Sequence, residues 1–552
     1  MQIAYSTITF ILIITTIYSY GFFISNLICK KLKDDLFFNI LSGYTFIGII
    51  AVNFHFFFKI NDFFSLTIII IGLIIFIKNF LKLDLKKFQY LCLTISIFSP
   101  LFFAYSDHSI DANMYHHPYV SYLKSEKIIF GIANIQFRFG HISFLQYVQS
   151  TFTNNFLHEI SLASINIIFY ITFIFYFVFE IFKTRQISFI FLIKILIISF
   201  ILIKFSRYRE YGNDLIPLIV SIYFLIKLLD ENLNSENSIQ LFNLALPFAA
   251  FMFLHKISYV FVFLIFLPLI KFINFKKIKM EGFKPFKIFL ILILPWLIKN
   301  YIVSSCLSYP IDISCFSNSL FELQGLAEPS NVAWLTEIWA KGFIDNPNWE
   351  KINLTEYSNN FNWLPTWLGG HFIKIIEIIT PLIFIQIIFL FYLLLNKKKL
   401  LIFKKKKNFS KYFLNIFFAN LFGLFLWFYN APTFRYGSFY IILFFILSYI
   451  LALNYFLKFK QSKNLIFFKM ILLISLLFFI HKNLSRIHKS ELSFFPETIK
   501  KENDYNIFNE NDLNLLMPKN DDVCYFTKLI CSHEIPNNLI EKKIGNYYIY
   551  TQ

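Results

Sequence analysis

The sequence predicts an all-α integral membrane bundle, and three observations predict it. Apolar runs of roughly membrane length recur along the 552 residues. Hydrophobic residues make up 57% of the chain against 15% charged, and mean hydropathy is +0.60. The lysines collect in the short loops between the runs. A water-soluble chain of this length would need a charged surface that this composition does not supply. In hydrocarbon every backbone polar group must be satisfied internally, and helices do that.

The runs fall near 4–26, 37–57, 63–77, 88–104, 158–180, 187–203, 215–229, 241–254, 257–270, 286–300, 372–395, 412–429, 438–457 and 465–481. The first lacks a leading basic region and a small-residue cleavage site, so it reads as a retained span. Lys30, Lys31 and Lys33, then Lys78, Lys82, Lys86 and Lys87, then Lys183 and Arg185 mark loops on one side. Lys276, Lys277 and Lys279, the groups Lys397 to Lys399 and Lys404 to Lys407, and Lys458, Lys460 and Lys463 continue the pattern. The positive-inside bias makes that side cytoplasmic and predicts roughly 14 crossings. Leu241 to Ile270 is apolar enough for one long helix, but loop parity divides it at "LHKISY", with His255 and Lys256 at the far surface.

Residues 1–481 thus form a polytopic membrane domain. Its polar connections 105–157, 204–214, 301–370 and 430–437 lie away from the cytoplasm, and so does the C-terminal region 482–552. The first is a large external loop; 301–370, mixed in polarity, reads as an ordered cap or lid. Within the first loop, "HPYVSYLKSEKIIF" places Pro118 at a helix start, where its missing N–H costs nothing. "SFLQYVQSTF" also has helical spacing. Two placements stand for both helices. They lie along the membrane surface with lysines snorkelling, or they pack on the bundle.

The formal net charge is +18, which in a soluble protein would suggest nucleic acid. Here the excess sits in short loops, so no nucleic-acid partner is expected. Among six cysteines, Cys29 and Cys92 lie in or beside apolar runs. Cys306 with Cys315, and Cys524 with Cys531, form two close pairs without zinc-finger spacing. Two local disulfides are expected if both regions face an oxidising compartment.

The candidate chemistry begins with "YSDHSIDANMYHHPYVSYL", just beyond the fourth run. Asp107 or Asp111 could act as a general base toward an attacking hydroxyl. The two could equally hold a divalent cation such as Mg or Mn, or simply stabilise a turn. Cationic and imidazole groups follow on the same side: His116, His117, Arg138, His141, Arg207, Arg209, Lys299 and Arg435. Arg435, in "NAPTFRYG", must bind an anion, pair with an acid or reach the interface, and its fork suits phosphate. Arg207, Arg209, Glu210 and Asp214 read as a local ion-pair network of a tight loop. Carboxylates and cations at one bilayer face suit a lipid whose tail stays in hydrocarbon while its phosphate meets the cations. The leaving phosphate needs charge stabilisation more than a strong acid.

With "FRFGHISFLQY", "PWLIKNYIVSSCLSYP" and "FYNAPTFRYGSFY", the first loop resembles the polytopic glycosyltransferases of the C superfamily, which use polyprenyl-phosphate-linked sugars. More narrowly, "DANMYHHP…RFGH" and "SRYREYGND" are similar to a family of bacterial membrane proteins. The resemblance covers most of 1–480. It implies a catalytic acid in the first external loop, and Asp111, directly before "ANMYHHP", is the preferred base with Asp107 its partner or a metal ligand. Many members carry an adjacent acidic pair, whereas here His108, Ser109 and Ile110 intervene. Inversion at the anomeric centre is a further implication of the resemblance.

The expected function is sugar transfer from a polyprenyl-phosphate donor to a glycan, lipid or protein acceptor. It would occur at the outer face of a bacterial inner membrane. A polysaccharide polymerase or ligase, a multi-span transporter and an envelope scaffold are the alternatives. No internal repeat of the kind many transporters carry is seen.

Overall fold

The computed structural model describes residues 2–82, 84–103, 111–157, 161–204, 213–230, 235–272, 283–317, 319–345, 353–395, 407–456, 465–489, 505–510, 513–519 and, except for 525, 528, 534 and 537, 523–551. Among these residues, nine helices are long and apolar enough to cross a membrane, from Tyr5–Ile28 to Ile466–Lys489. Other predicted crossings form shorter elements. Phe189–Lys204 and Leu215–Asp230 have 16 residues each. At 1.5 Å per residue each is about 24 Å long, short of the hydrocarbon core. Both are buried along most of their length, so neighbouring helices cover them. The apolar stretch from Leu241 divides as loop parity requires: Ala245–His255 is α-helical, Lys256 ends it, and Ile257–Phe272 continues with 3₁₀ pairing. The 3₁₀ rise of about 2 Å makes those 16 residues roughly 32 Å long, so a short run reaches farther.

Capping fixes where helices begin. Asp35 accepts from the Phe38 N–H at 3.0 Å, and Asn61 from the Phe64 N–H at 3.0 Å. Leu36–His55 is central, with 78% of its span buried, whereas Phe413–Asn430 is 22% buried and leaves Phe418, Phe422 and Phe425 exposed, as a helix facing hydrocarbon would.

The helices of the first loop pack on the bundle. Every residue of Phe144–Phe152 is buried, and Tyr119, Val120, Tyr122 and Leu123 of His117–Ser125 are closed to solvent. Their all-round burial excludes the surface placement. Lys124 reaches Asp62 at 3.1 Å in place of snorkelling, and Pro118 does open its helix. Gly140 is needed where this loop meets the cap, because a Cβ there would come within 2.6 Å of the Tyr309 ring.

The C-terminal region, whose sparse periodicity names no fold, contains the strands of the molecule among the described residues. The last helix runs to Lys489, and two antiparallel hairpins follow: β1 (Tyr505–Glu510) with β2 (Leu513–Pro518), and β3 (Ile540–Ile544) with β4 (Tyr547–Thr551). Gly545, at φ 59°, makes the two-residue turn of the second hairpin. The region lies on the first loop. The Tyr550 N–H donates to the Phe130 carbonyl at 2.9 Å and the Phe130 N–H to the Tyr548 carbonyl at 3.0 Å. The Cys524 N–H donates to the Asn113 carbonyl at 3.1 Å, and the Thr527 N–H to Ser121 Oγ at 3.1 Å. Both expected disulfides are present, Cys306–Cys315 and Cys524–Cys531.

Candidate functional site

Four segments distant in sequence meet at the bundle end opposite Lys31 and Lys87. Asp111 precedes the π-turn Ala112–His116, which leads directly into His117–Ser125. Asp214 ends the turn before Leu215–Asp230. Lys256 sits at the break between its two helices, and Arg435 at the start of Phe434–Phe456. Arg435 Nη1 donates to Asp111 Oδ2 at 3.0 Å, and its Nε donates to Asp214 Oδ2. The other Asp214 oxygen accepts from Lys256 Nζ, which also lies 4.2 Å from the centre of the Tyr436 ring. One guanidinium therefore bridges two carboxylates, using the fixed fork that lysine lacks. Burial raises the Asp214 pKa, but Lys256 and Arg435 outweigh it and hold the carboxyl below its ordinary value.

Arg435 and Lys256 line a cleft of about 310 Å³. Its walls combine polar Asn213, His141 and Asn300 with apolar Phe253, Leu254 and Trp296. Ser308, Tyr309 and Pro310 of the cap close one side. His141 stacks on Tyr309, with ring centres 6.0 Å apart and planes 11° apart. His141 is exposed and its ring opens onto the cleft. Desolvation, then Arg138 and Lys299, push its pKa down to about 4. His255 also lines the cleft, with Nε2 2.8 Å from the Tyr44 hydroxyl and Nδ1 2.8 Å from the Phe251 carbonyl.

His116 is fully buried behind this wall. Its Nδ1 lies 3.0 Å from Gln146 Nε2, which also donates to Asn213 Oδ1 at 3.0 Å. Burial, then Arg435, push its pKa down to about 3, so the ring is neutral at physiological pH. His117 is buried too, with Nδ1 3.0 Å from Asn113 Oδ1, and it does not line the cleft. Arg138 lies over the Phe137 ring at 4.4 Å and the Tyr115 ring at 5.7 Å, and pairs with no carboxylate among the described residues. Lys299 is closed to solvent, 4.1 Å from the centre of the Trp296 ring, and donates to Asn300 Oδ1 at 3.1 Å. Arg138 and Lys299 therefore stand behind the cleft wall, not in it.

Asp107, Arg207 and Arg209 lie outside the described residues. Among the described residues, no group of three or more His, Cys, Asp or Glu side chains could hold a metal ion. Sequence reasoning set Asp214 in a local loop network. The structure joins it to Lys256 and Arg435, both far away in the chain, while Arg207, Arg209 and Glu210 of that network lie outside the described residues. A usable signal existed: Asp214 and Lys256 each border or interrupt an apolar run, as Asp111 and Arg435 do. Gln146 and Asn213 carry no such signal, because a buried amide is visible only once its partners are placed.

Neither the curated proteins nor the solved structures contain a match to this chain. A family model does match, over residues 4–442, a stretch that includes Asp111, Asp214, Lys256 and Arg435 together. That model is described as a domain of unknown function, DUF8201, and the chain, a polytopic and mostly helical membrane protein, belongs to that family.

Proposed function

We propose that this protein transfers a sugar from a polyprenyl-phosphate-linked donor to an envelope glycan, lipid or protein acceptor. The bundle would cross a bacterial inner membrane roughly 14 times, with the cleft at the non-cytoplasmic face. The observation that carries the reading is the contact of Asp111 with Arg435 at 3.0 Å, 324 residues apart, beside a cleft of mixed polarity. A base and a phosphate ligand belong within one site of that kind. An apolar groove of about 450 Å³ adds support for a lipid tail. It runs between the helices of the cleft, and Phe251 and Leu292 in it lie four residues, about one turn, before His255 and Trp296.

In this mechanism the donor phosphate competes with the carboxylates for Arg435 and Lys256, whose charges neutralise the oxygen that leaves. Asp111, freed from the fork, takes the proton of the acceptor hydroxyl. The acceptor oxygen bonds to the anomeric carbon while the carbon–oxygen bond to phosphate breaks. Polyprenyl phosphate departs with the electron pair. A single displacement of this kind inverts the anomeric centre.

The test is a transfer assay on purified protein with a panel of polyprenyl-phosphate sugars, with and without Mg or Mn, read as glycosylated product. Turnover that disappears in Asp111→Asn supports the proposal. Solute movement across proteoliposomes without any sugar transfer would replace it with transport.

A further inference from the structure

We propose that His116 and Gln146 form a glycosyl-phosphate subsite, in which His116 Nε2–H donates to a phosphate oxygen and Gln146 Oε1 accepts from a sugar hydroxyl. The proposal rests on the sugar-transfer reading and adds to it the two groups that recognise the donor head.

The proton inventory follows from one amide. Gln146 Nε2 has two hydrogens and two neighbours at 3.0 Å. One neighbour, Asn213 Oδ1, only accepts; the other hydrogen faces His116 Nδ1, so that nitrogen presents its lone pair. A neutral imidazole carries one proton, and it therefore resides on Nε2. His116 Nε2 is a buried donor with no partner among the described residues, and Gln146 Oε1 is a buried acceptor with none. Leaving two such atoms unmet costs about 1–3 kcal/mol each. Two such atoms flanking a single hydrogen bond form a donor and acceptor pair that one ligand would satisfy together.

The missing chemistry is then an acceptor beside a donor. Phosphate oxygens supply the first and sugar hydroxyls the second. His116 lies within the electrostatic reach of Arg435 and also of Asp111 and Asp214, so its N–H donor, rather than net charge, assigns the phosphate oxygen to the histidine. Tyr115 and Asn213 line the cleft in front of it, so the head group reaches His116 only when that wall moves. Asn213, one residue before Asp214, couples the subsite to the Arg435 bridge. Asn213 is thus a positioning residue, while Gln146 both orients the His116 ring and contacts the sugar.

The experiment measures binding of three probes to the purified full chain in nanodiscs: a polyprenyl monophosphate, the matching glycosyl polyprenyl phosphate, and the uncharged polyprenol. His116→Ala should weaken both phosphate probes about tenfold or more and leave polyprenol unchanged. His116→Gln, which keeps an N–H donor, should stay within about threefold of wild type. Gln146→Leu should weaken the glycosylated probe more than the monophosphate. It should also change monophosphate binding less in a His116→Gln background than alone, since the tautomer no longer matters there. Melting temperature and monodispersity confirm the fold of each variant, and Gln146→Leu serves if His116→Ala does not fold. Wild type that prefers phosphate to polyprenol, with His116→Ala or Gln146→Leu binding as wild type does, overturns the subsite alone. Wild type indifferent to the phosphate overturns the sugar-transfer reading and the subsite with it.

Discussion

The two ends of the bundle each hold acids and bases, and they use them differently. At the lysine-rich end, Asp35 accepts from the Phe38 N–H, from the Tyr176 hydroxyl at 2.7 Å and from Lys227 Nζ at 2.7 Å. Its side chain is 7% exposed, and the aromatic rings of Tyr176 and Tyr223 flank the lysine. That carboxylate caps a helix, pairs with a cation and binds a hydroxyl, which leaves little capacity for a ligand. At the opposite end, Asp111 is 43% exposed and bonds to an arginine shared with Asp214. Among the described residues, cations there outnumber carboxylates once Lys299 and Arg138 are included, and His116 Nε2 and Gln146 Oε1 are among the buried polar atoms that lack partners. Saturated polar groups hold helices together; groups with remaining capacity are available for chemistry.

Breaking each end should therefore produce different losses. The largest expected effect is Asp111→Asn, which should reduce sugar transfer by about a hundredfold or more while melting temperature changes little, since its ion pair is exposed. A comparable loss of turnover in Asp35→Asn would erase the distinction. Arg435→Lys comes next: one point charge cannot bridge Asp111 and Asp214, so turnover should fall about tenfold or more. Retained activity would show that charge alone suffices.

Asp35→Asn should instead act on stability, removing about 3 kcal/mol by leaving Lys227 without its counter-charge. The readout is a lower melting temperature in detergent with turnover per folded molecule preserved. Cys524→Ser with Cys531→Ser should cost about 2 kcal/mol through a freer unfolded loop. It should also lower turnover a fewfold, because Cys524 holds the Asn113 carbonyl two residues from Asp111. Kinetics and melting on the same preparation separate the two effects.

The smallest effect sharpens the electrostatics. His116 and His141 are neutral in the fold, pushed down to about 3 and about 4, against about 6.5 in an unfolded chain. Between those values the unfolded chain binds more protons. Their contribution is thus intact above about pH 6.5 and declines as pH falls toward 4. Melting temperature should drop from pH 7.5 to pH 5, and His116→Gln with His141→Gln should flatten that slope. An unchanged slope would mean that other groups dominate acid sensitivity.

Much of this was legible from sequence for physical reasons. Apolar length and lysine placement declare a membrane bundle without any knowledge of packing, and loop parity located the break at Lys256. The close cysteine spacing anticipated both disulfides. Asp111 and Arg435 stood out because charge at the edge of an apolar run is costly unless it is used. Their contact, by contrast, depends on how the helix ends converge, and no local pattern encodes that. Asp214 was hidden by its own neighbours, since Arg207, Arg209 and Glu210 supply an adequate local account of it. The hairpins were missed because an isolated two-stranded unit is weakly patterned and marginal alone; these are held by the first loop they cover.

The most direct test is a structure of the full chain in nanodiscs with a polyprenyl phosphate bound. The expected result places the phosphate in the cleft, within hydrogen-bonding distance of Arg435 and His116, with Asp111 released from the guanidinium. A phosphate found only beside Lys284 and Lys287 at the mouth of the apolar groove, with Arg435 still held by Asp111 and Asp214, would contradict it.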